Sequence, residues 1–199
     1  MSNLAFIILD IQNDFCHTDG VFNKNGLDAA YSRKIIPNIS DMIYFCKNAK
    51  IPIIALQQTI LENFEKQAIG LGYLKKMFPF IETQGLRQDT WGHDLIDEVK
   101  NVDYKIKRWG ISSFYQTEFA KYLSALRINQ LIISGFTTNG IVETTAREAI
   151  ARNYKITTLS DCVSSYSENL HLASLNNLSN FGDVLSSRDW QEMFAKESE

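Results

Sequence analysis

The feature that most restricts this 199-residue chain is an alternation. Apolar runs at Leu4–Leu9, Ile51–Leu56, Val102–Lys107, Gln130–Ser134, Lys155–Leu159 and around Val184–Leu185 read as strands. Between them lie segments of helical period. Tyr31–Lys50 sets Ile35, Ile36, Ile39, Met42, Ile43 and Phe45 at helical spacing, and Thr117–Leu126 aligns Phe119, Tyr122, Leu123 and Leu126 on one stripe. Helices are also predicted around Asp94–Val99, over Asn139–Arg152 and over Ser167–Phe181, while Gln58–Asn101 gives a mixed signal. Strand, helix and strand in succession make βαβ units, which pair strands in parallel and put helices on both faces. The predicted architecture is therefore three-layer α/β/α, Rossmann-like, with an open parallel sheet of about six strands. No repeat or linker interrupts the pattern, so residues 1–199 read as one domain, with 195–199 expected to be a frayed tail.

Composition then removes function classes. A hydrophobic fraction of 45% supplies a core and excludes a disordered chain. With 23 acidic against 20 basic residues the net charge is -3, and no basic stripe offers itself to nucleic acid. The longest purely apolar runs are five or six residues against the roughly 20 a bilayer needs, so no membrane span is expected. The start, Met1-Ser-Asn-Leu4, lacks the pattern of a signal peptide. Cys16, Cys46 and Cys162 are scattered and odd in number, which reads as reduced thiols in a cytoplasmic protein. His17 and His93 have no partner at metal-ligand spacing, and neither a GxGxxG nor a GxxxxGK[ST] loop occurs. No metal and no cofactor are expected, and the partner is a small-molecule substrate.

In an open parallel sheet, ligands bind beyond the carboxyl ends of the strands. The residues there are Asp10, Lys107, Phe136–Ile141 and Asp161. A carboxylate, an ammonium and a helix start would thus meet in one cleft, a combination suited to shifting a carboxyl pKa and positioning water. If the register of the third strand slips, Lys105 or Arg108 is the cation instead of Lys107. Thr138 or Asn139 before a helix can equally be a cap, and His171 lies among helical leucines, where packing explains it.

These segments resemble the isochorismatase-like hydrolases, the cysteine hydrolase superfamily. Asp10-Ile-Gln-Asn-Asp-Phe15 matches an opening D-x-Q-N-D-F signature, and Lys107 to Thr117 resembles the segment that carries the family's lysine. Ser134-Gly-Phe-Thr-Thr-Asn-Gly-Ile-Val-Glu-Thr-Thr-Ala-Arg-Glu-Ala149 resembles its G-x-x-T-[ND]-x-C-V-x-x-T-A-R-[DE]-A block, and Ser160–Ser165 its strand-end D-A-x-[AS]-S element. The likeness implies a six-stranded sheet, a homo-oligomer, and substrate contacts at Phe15, Trp109, Phe136, Thr138, Gly140 and Ile141. It also puts Ile141 where the family usually places its nucleophilic cysteine. Hydrocarbon cannot attack a carbonyl. Cys16 starts from another strand and is not expected to replace it. The stretch Thr138–Glu143 is similar to a branch, including isochorismatases proper, that lacks the thiol and hydrolyses without an acyl-enzyme.

The resemblance thus implies a small-molecule hydrolase with Asp10 as general acid/base, Lys107 holding the site's charge and a substrate carboxylate, and backbone amides near Gly140 and Ile141 forming an anion pocket. Amide hydrolysis of the nicotinamidase kind is less expected, because it needs the cysteine, and the histidines that would hold its metal are missing from Gln57-Gln-Thr-Ile-Leu61. The alternative is a catalytically inactive member that binds or scaffolds.

Overall fold

The computed structural model describes residues 3–197. Six parallel strands form the main sheet: β1 (Leu4–Leu9), β2 (Ile53–Gln58), β5 (Tyr104–Arg108), β6 (Gln130–Phe136), β7 (Lys155–Ser164) and β8 (Asp183–Leu185), in the order β5-β2-β1-β6-β7-β8. The chain runs outward from β1 to β2 to β5, then returns to the other side of β1 for β6. That reversal makes the gap between the ends of β1 and β6 the topological switch point, where such sheets open to ligands.

β1 explains the layers. Its residues are all buried, as expected of a central parallel strand covered on both faces. Leu4, Phe6 and Ile8 pack with Ile36, Ile39, Met42, Ile43 and Cys46 of α4 (Ile36–Ala49) and with Trp190 of α9 (Ser187–Glu197). Ala5, Ile7 and Leu9 point the other way, against Phe119 and Leu123 of α6 (Phe119–Ala125), Ala146 and Ala149 of α7 (Glu143–Ile150) and Leu178 of α8 (Glu168–Leu178). Helices thus cover both faces of a single sheet.

Gly135 sits opposite Leu9 with φ +133, and a Cβ there would collide with the Leu9 carbonyl oxygen. Only glycine lets β6 approach β1 so closely at the switch point.

The mixed stretch after β2 folds as a cap over the carboxyl edge of the sheet. It contains a small hairpin, β3 (Leu61–Glu62) with β4 (Ala68–Ile69), then α5 (Tyr73–Met77) and 3-10 turns at Pro79–Glu82 and Asp97–Val99. Phe22 of α2 (Val21–Lys24) joins Ile60, Leu74, Ile81 and Leu86 in a third apolar cluster beneath it. The opening hexapeptide stitches this cap down through α1 (Asn13–Cys16). Gln12 donates to the carbonyls of Gln58 and His93 at 3.1 and 2.8 Å and accepts from the Gln58 N–H at 2.8 Å. Asn13 donates to the Trp91 carbonyl at 2.7 Å. The Asp14 carboxylate accepts the N–H groups of Val21 at 3.1 Å and Leu86 at 2.6 Å.

Most predicted elements are present with shifted ends. The Tyr31–Lys50 helix divides into α3 (Ala30–Arg33) and α4, and β7 runs past Leu159 to Ser164. Of the expected tail, residues 195–197 belong to α9, and residues 198 and 199 lie outside the described residues. Asp161 secures that helix, accepting both the N–H and the hydroxyl of Ser187 at 2.7 Å.

Replacing Asp14 by Ala leaves the buried Leu86 N–H and the partly buried Val21 N–H without an acceptor, and a loss of about 2–3 kcal/mol in denaturant unfolding is expected. Gly92→Ala should destabilise in the same direction, because its Cβ would land inside the Asp14 carboxylate. Wild-type midpoints for both variants would show that this carboxylate does not hold the cap.

Candidate functional site

A cleft of about 350 Å³ opens at the switch point. Its floor is polar, with Asp10 from the end of β1, Gln58 from the end of β2 and Arg108 from the end of β5. The turn after β6 contributes Phe136, Thr137, Asn139, Gly140 and Ile141. The cap adds an apolar wall that includes Tyr73, Leu74, Met77 and Phe78. Rings meet around it: Phe15 and Phe22 lie 4.2 Å apart between centroids, and Tyr166 stands edge-on to Phe136 at 4.7 Å.

Asp10 takes a left-handed conformation, φ +58, which a short acidic side chain tolerates better than most. This turns the chain sharply out of β1. The carboxyl group is nearly inaccessible at 4% exposure. One oxygen accepts the Gln58 N–H at 3.2 Å and the other accepts from Arg108. Burial raises its pKa above the ordinary 3.8, against the lowering pull of Arg108.

The cation beside Asp10 is Arg108, and the expectation of Lys107 is corrected. Side chains alternate across a strand, so Ile106 and Arg108 share the buried face of β5 while Lys105 and Lys107 are exposed on the other. Arg108 donates to Asp10, to the Gln58 side-chain oxygen at 2.5 Å and to the Gly110 carbonyl. Arginine presents several donors in a fixed fork, so it can hold all three at once.

The turn after β6 begins with a cis Phe136–Thr137 peptide bond. Phe136, Gly140 and Ile141 line the cleft, as does Phe15. Ile141 is only 4% exposed and also packs among Val142 and Ala146. The Gly140 N–H, expected to help form an anion pocket, is instead bonded to the Thr137 carbonyl at 3.2 Å. Thr138 does not line the cleft. It is fully buried, with its hydroxyl 2.8 Å from His171 Nδ1, so His171 serves packing and hydrogen bonding. Trp109 is also displaced from the expected site, in a neighbouring depression lined by Thr59, Gln88 and Asp89. The strand alternation that carries Arg108 inward carries its neighbour elsewhere. Asp161, bound to Ser187, lies along another depression beside α4 and α9 and does not converge on Asp10.

No described cysteine lines the cleft. Cys16 is closest in kind, with its thiol 4.0 Å from the Asp10 carbonyl oxygen, but burial pushes its pKa up to about 12. Such a thiol carries almost no thiolate at neutral pH. Burial likewise lifts Cys46 to about 12 and Cys162 well above its usual range. His93 is buried against Thr59, 2.8 Å from its hydroxyl, with its pKa lowered by burial.

Sequence reasoning missed Gln58, Tyr73, Tyr166 and the cap wall. Gln58 carried a usable signal, a polar residue at the carboxyl end of a central strand. The cap residues carried none, because no period links them to the sheet.

Comparison with known proteins follows the same outline. A model of the isochorismatase domain matches residues 4–189. A protein of Arabidopsis thaliana named a probable inactive nicotinamidase is 23% identical over 97% of both chains. A ureidoacrylate amidohydrolase of Acinetobacter baylyi is 29% identical, covering 89% of this chain and 77% of its own. The crystal structure of an isochorismatase-like hydrolase from Alkaliphilus metalliredigens superimposes with a TM-score of 0.79 at 24% identity, covering 97% of this chain and 98% of that one.

The pairing of Asp10 with Arg108 has a direct test in stability. Arg108→Gln leaves a buried carboxylate without its counter-charge and should cost about 3–5 kcal/mol. Combined with Asp10→Asn, the loss should fall well short of the sum of the two single changes, whereas Lys107→Ala should stay within about 0.5 kcal/mol. Additive losses, or an equal cost at Lys107, would remove Arg108 from the site.

Proposed function

The chain belongs to the isochorismatase family, and on that premise we propose that it is a small-molecule hydrolase working without a covalent intermediate. Asp10 is the general acid/base and Arg108 takes the charge-holding part first expected of Lys107. The observation that carries this reading is Asp10 itself, a carboxyl raised by burial and held by a fixed cation at the floor of a ligand-sized cleft. Perturbed carboxyls in clefts are the usual instruments of proton transfer.

Asp10 removes a proton from an attacking water and returns it to the leaving group as the substrate bond breaks. The net change is addition of water across that bond, with Asp10 restored. Arg108, hydrogen-bonded to Asp10, favours the ionised form of that carboxyl. General acid-base work of this kind is worth about 10²–10⁴-fold. Ile141 and the aromatic wall exclude solvent from the reacting groups.

A second reading is supported by a different observation. Both oxygens of Asp10 are already engaged, by Gln58 and Arg108, and no described thiol faces the cleft. A member of this family so arranged would bind a small molecule and release it unchanged. A relative named as inactive is consistent with that reading.

Turnover across a panel of vinyl ethers, amides and ureides separates the two. The hydrolase reading expects activity that Asp10→Asn reduces at least about 100-fold. It also expects kcat/KM to rise with pH through an Asp10 pKa above 3.8, since the base must be ionised. In Arg108→Gln the lowering influence is gone, so the same limb moves to higher pH. Binding of panel compounds without turnover favours the second reading, and turnover unaffected by Asp10→Asn refutes the first.

A further inference from the structure

The cleft has polar atoms on its floor and on its cap, and they differ in what can reach them. On the floor, Asp10, Gln58 and Arg108 are almost wholly covered. Two lining residues carry a donor without a partner among the described residues, Arg108 at Nε and Tyr166 at its hydroxyl, yet both atoms are closed to solvent. Tyr166 packs against the apolar cluster that holds Cys16, and burial first, then the Cys16 thiol, raise its pKa. A ligand meets neither atom unless the walls move. The cap supplies a polar group that is open. Tyr73 begins α5, is 41% exposed and lines the cleft. Gly72 leads into that helix at φ +51 and ψ -129, a conformation glycine adopts without steric cost, and the next residue, Leu74, is buried in the third apolar cluster. The helix is thus anchored while the phenol stays at its open edge. No side-chain hydrogen bond holds that hydroxyl among the described residues. Burial raises its pKa from 10.0, while Arg108 lowers it and Asp10 raises it, so both charges of the floor act on one phenol of the cap. A hydroxyl so placed points across the cleft, and at neutral pH it is protonated and able to donate.

We infer that Tyr73 is a specificity-determining residue of the cleft, its hydroxyl donating to an oxygen acceptor on a ligand whose apolar body lies among Phe15, Phe22, Phe78 and Ile111. The inference rests on the proposed small-molecule site and names its ligand class, a compact hydrocarbon body that carries an oxygen acceptor. The four side chains named all line the cleft and take up the body. Burying that body is favourable for any apolar ligand, with or without an oxygen. An oxygen taken inward loses its hydrogen bonds to water, and leaving it unpaired is costly. The phenol removes that cost for the ligand that has the oxygen and does nothing for one that lacks it. Selection between the two therefore falls on one hydroxyl. The same contact turns the oxygen toward the floor, where Asp10 acts in the hydrolase reading.

Calorimetric titration of the full chain with acetophenone and with toluene at neutral pH tests this, since both carry a phenyl body and only the first has an oxygen acceptor. Acetophenone should bind with a dissociation constant of about 1 mM or tighter. Tyr73→Phe keeps the ring and removes only the hydroxyl. It should weaken acetophenone about fivefold and leave toluene within about twofold. A merely structural part for Tyr73 would weaken both ligands together, so the toluene titration separates recognition from the shape of the cleft. An equal loss for the two ligands, no loss for acetophenone, or no acetophenone binding at all overturns the inference. A loss confined to acetophenone, in a protein that turns over no member of the panel, supports it while counting against the hydrolase reading. Turnover lost in Asp10→Asn, with acetophenone bound equally by wild type and Tyr73→Phe, leaves the hydrolase reading standing and overturns this one.

Discussion

Taking a carboxylate and a guanidinium out of water together is costly, and much of the carboxyl edge of this sheet is organised around that cost. Asp10 and Arg108 come from strands that are not neighbours, with β2 lying between them. Gln58 bridges the space, offering its backbone N–H to Asp10 and its side-chain oxygen to Arg108. The Gly110 carbonyl takes a further donor of the guanidinium. A buried ion pair is more tolerable when neighbouring groups meet much of its hydrogen-bonding capacity, and it then fixes the relative positions of everything attached to it; here the Arg108 Nε alone stays buried without a partner among the described residues. Three strand ends are held in register by this one cluster.

The cleft above that floor inherits its chemistry from the pairing. With the charges cancelled, what a ligand meets is mostly ring and hydrocarbon, plus the few donors of the turn after β6. Ile141 belongs to this surface as much as to the core, since it touches both the cleft and the α7 packing. A thiolate at that place would have met an apolar wall beside a saturated acid.

The strands and long helices were legible because burial writes itself into sequence as period. Phe6 and Ile8 on one face, Ile7 and Leu9 on the other, make β1 readable without coordinates. Helix α9 also carries that signal in Trp190, Met193 and Phe194, but it follows a weak strand of three residues and was overlooked. The cation was legible only to within a residue or two, for β5 is an edge strand and carries Lys105, Lys107 and Arg108 within four residues. Ile106 decides the matter, since Arg108 shares its parity and Lys107 does not. The cap was not legible at all. It is held by side chains bonding to distant backbone, as Asp14 does with Leu86 and Asn13 with Trp91, and such bonds leave no repeat to find.

Those same bonds alter what the opening hexapeptide means. Of its polar letters only Asp10 faces the cleft; Gln12, Asn13 and Asp14 are sutures that close the cap onto the sheet. Architecture, rather than reactivity, is what constrains most of that string. A descendant of this chain could abandon all chemistry and still spell those letters faithfully, merely to remain shut.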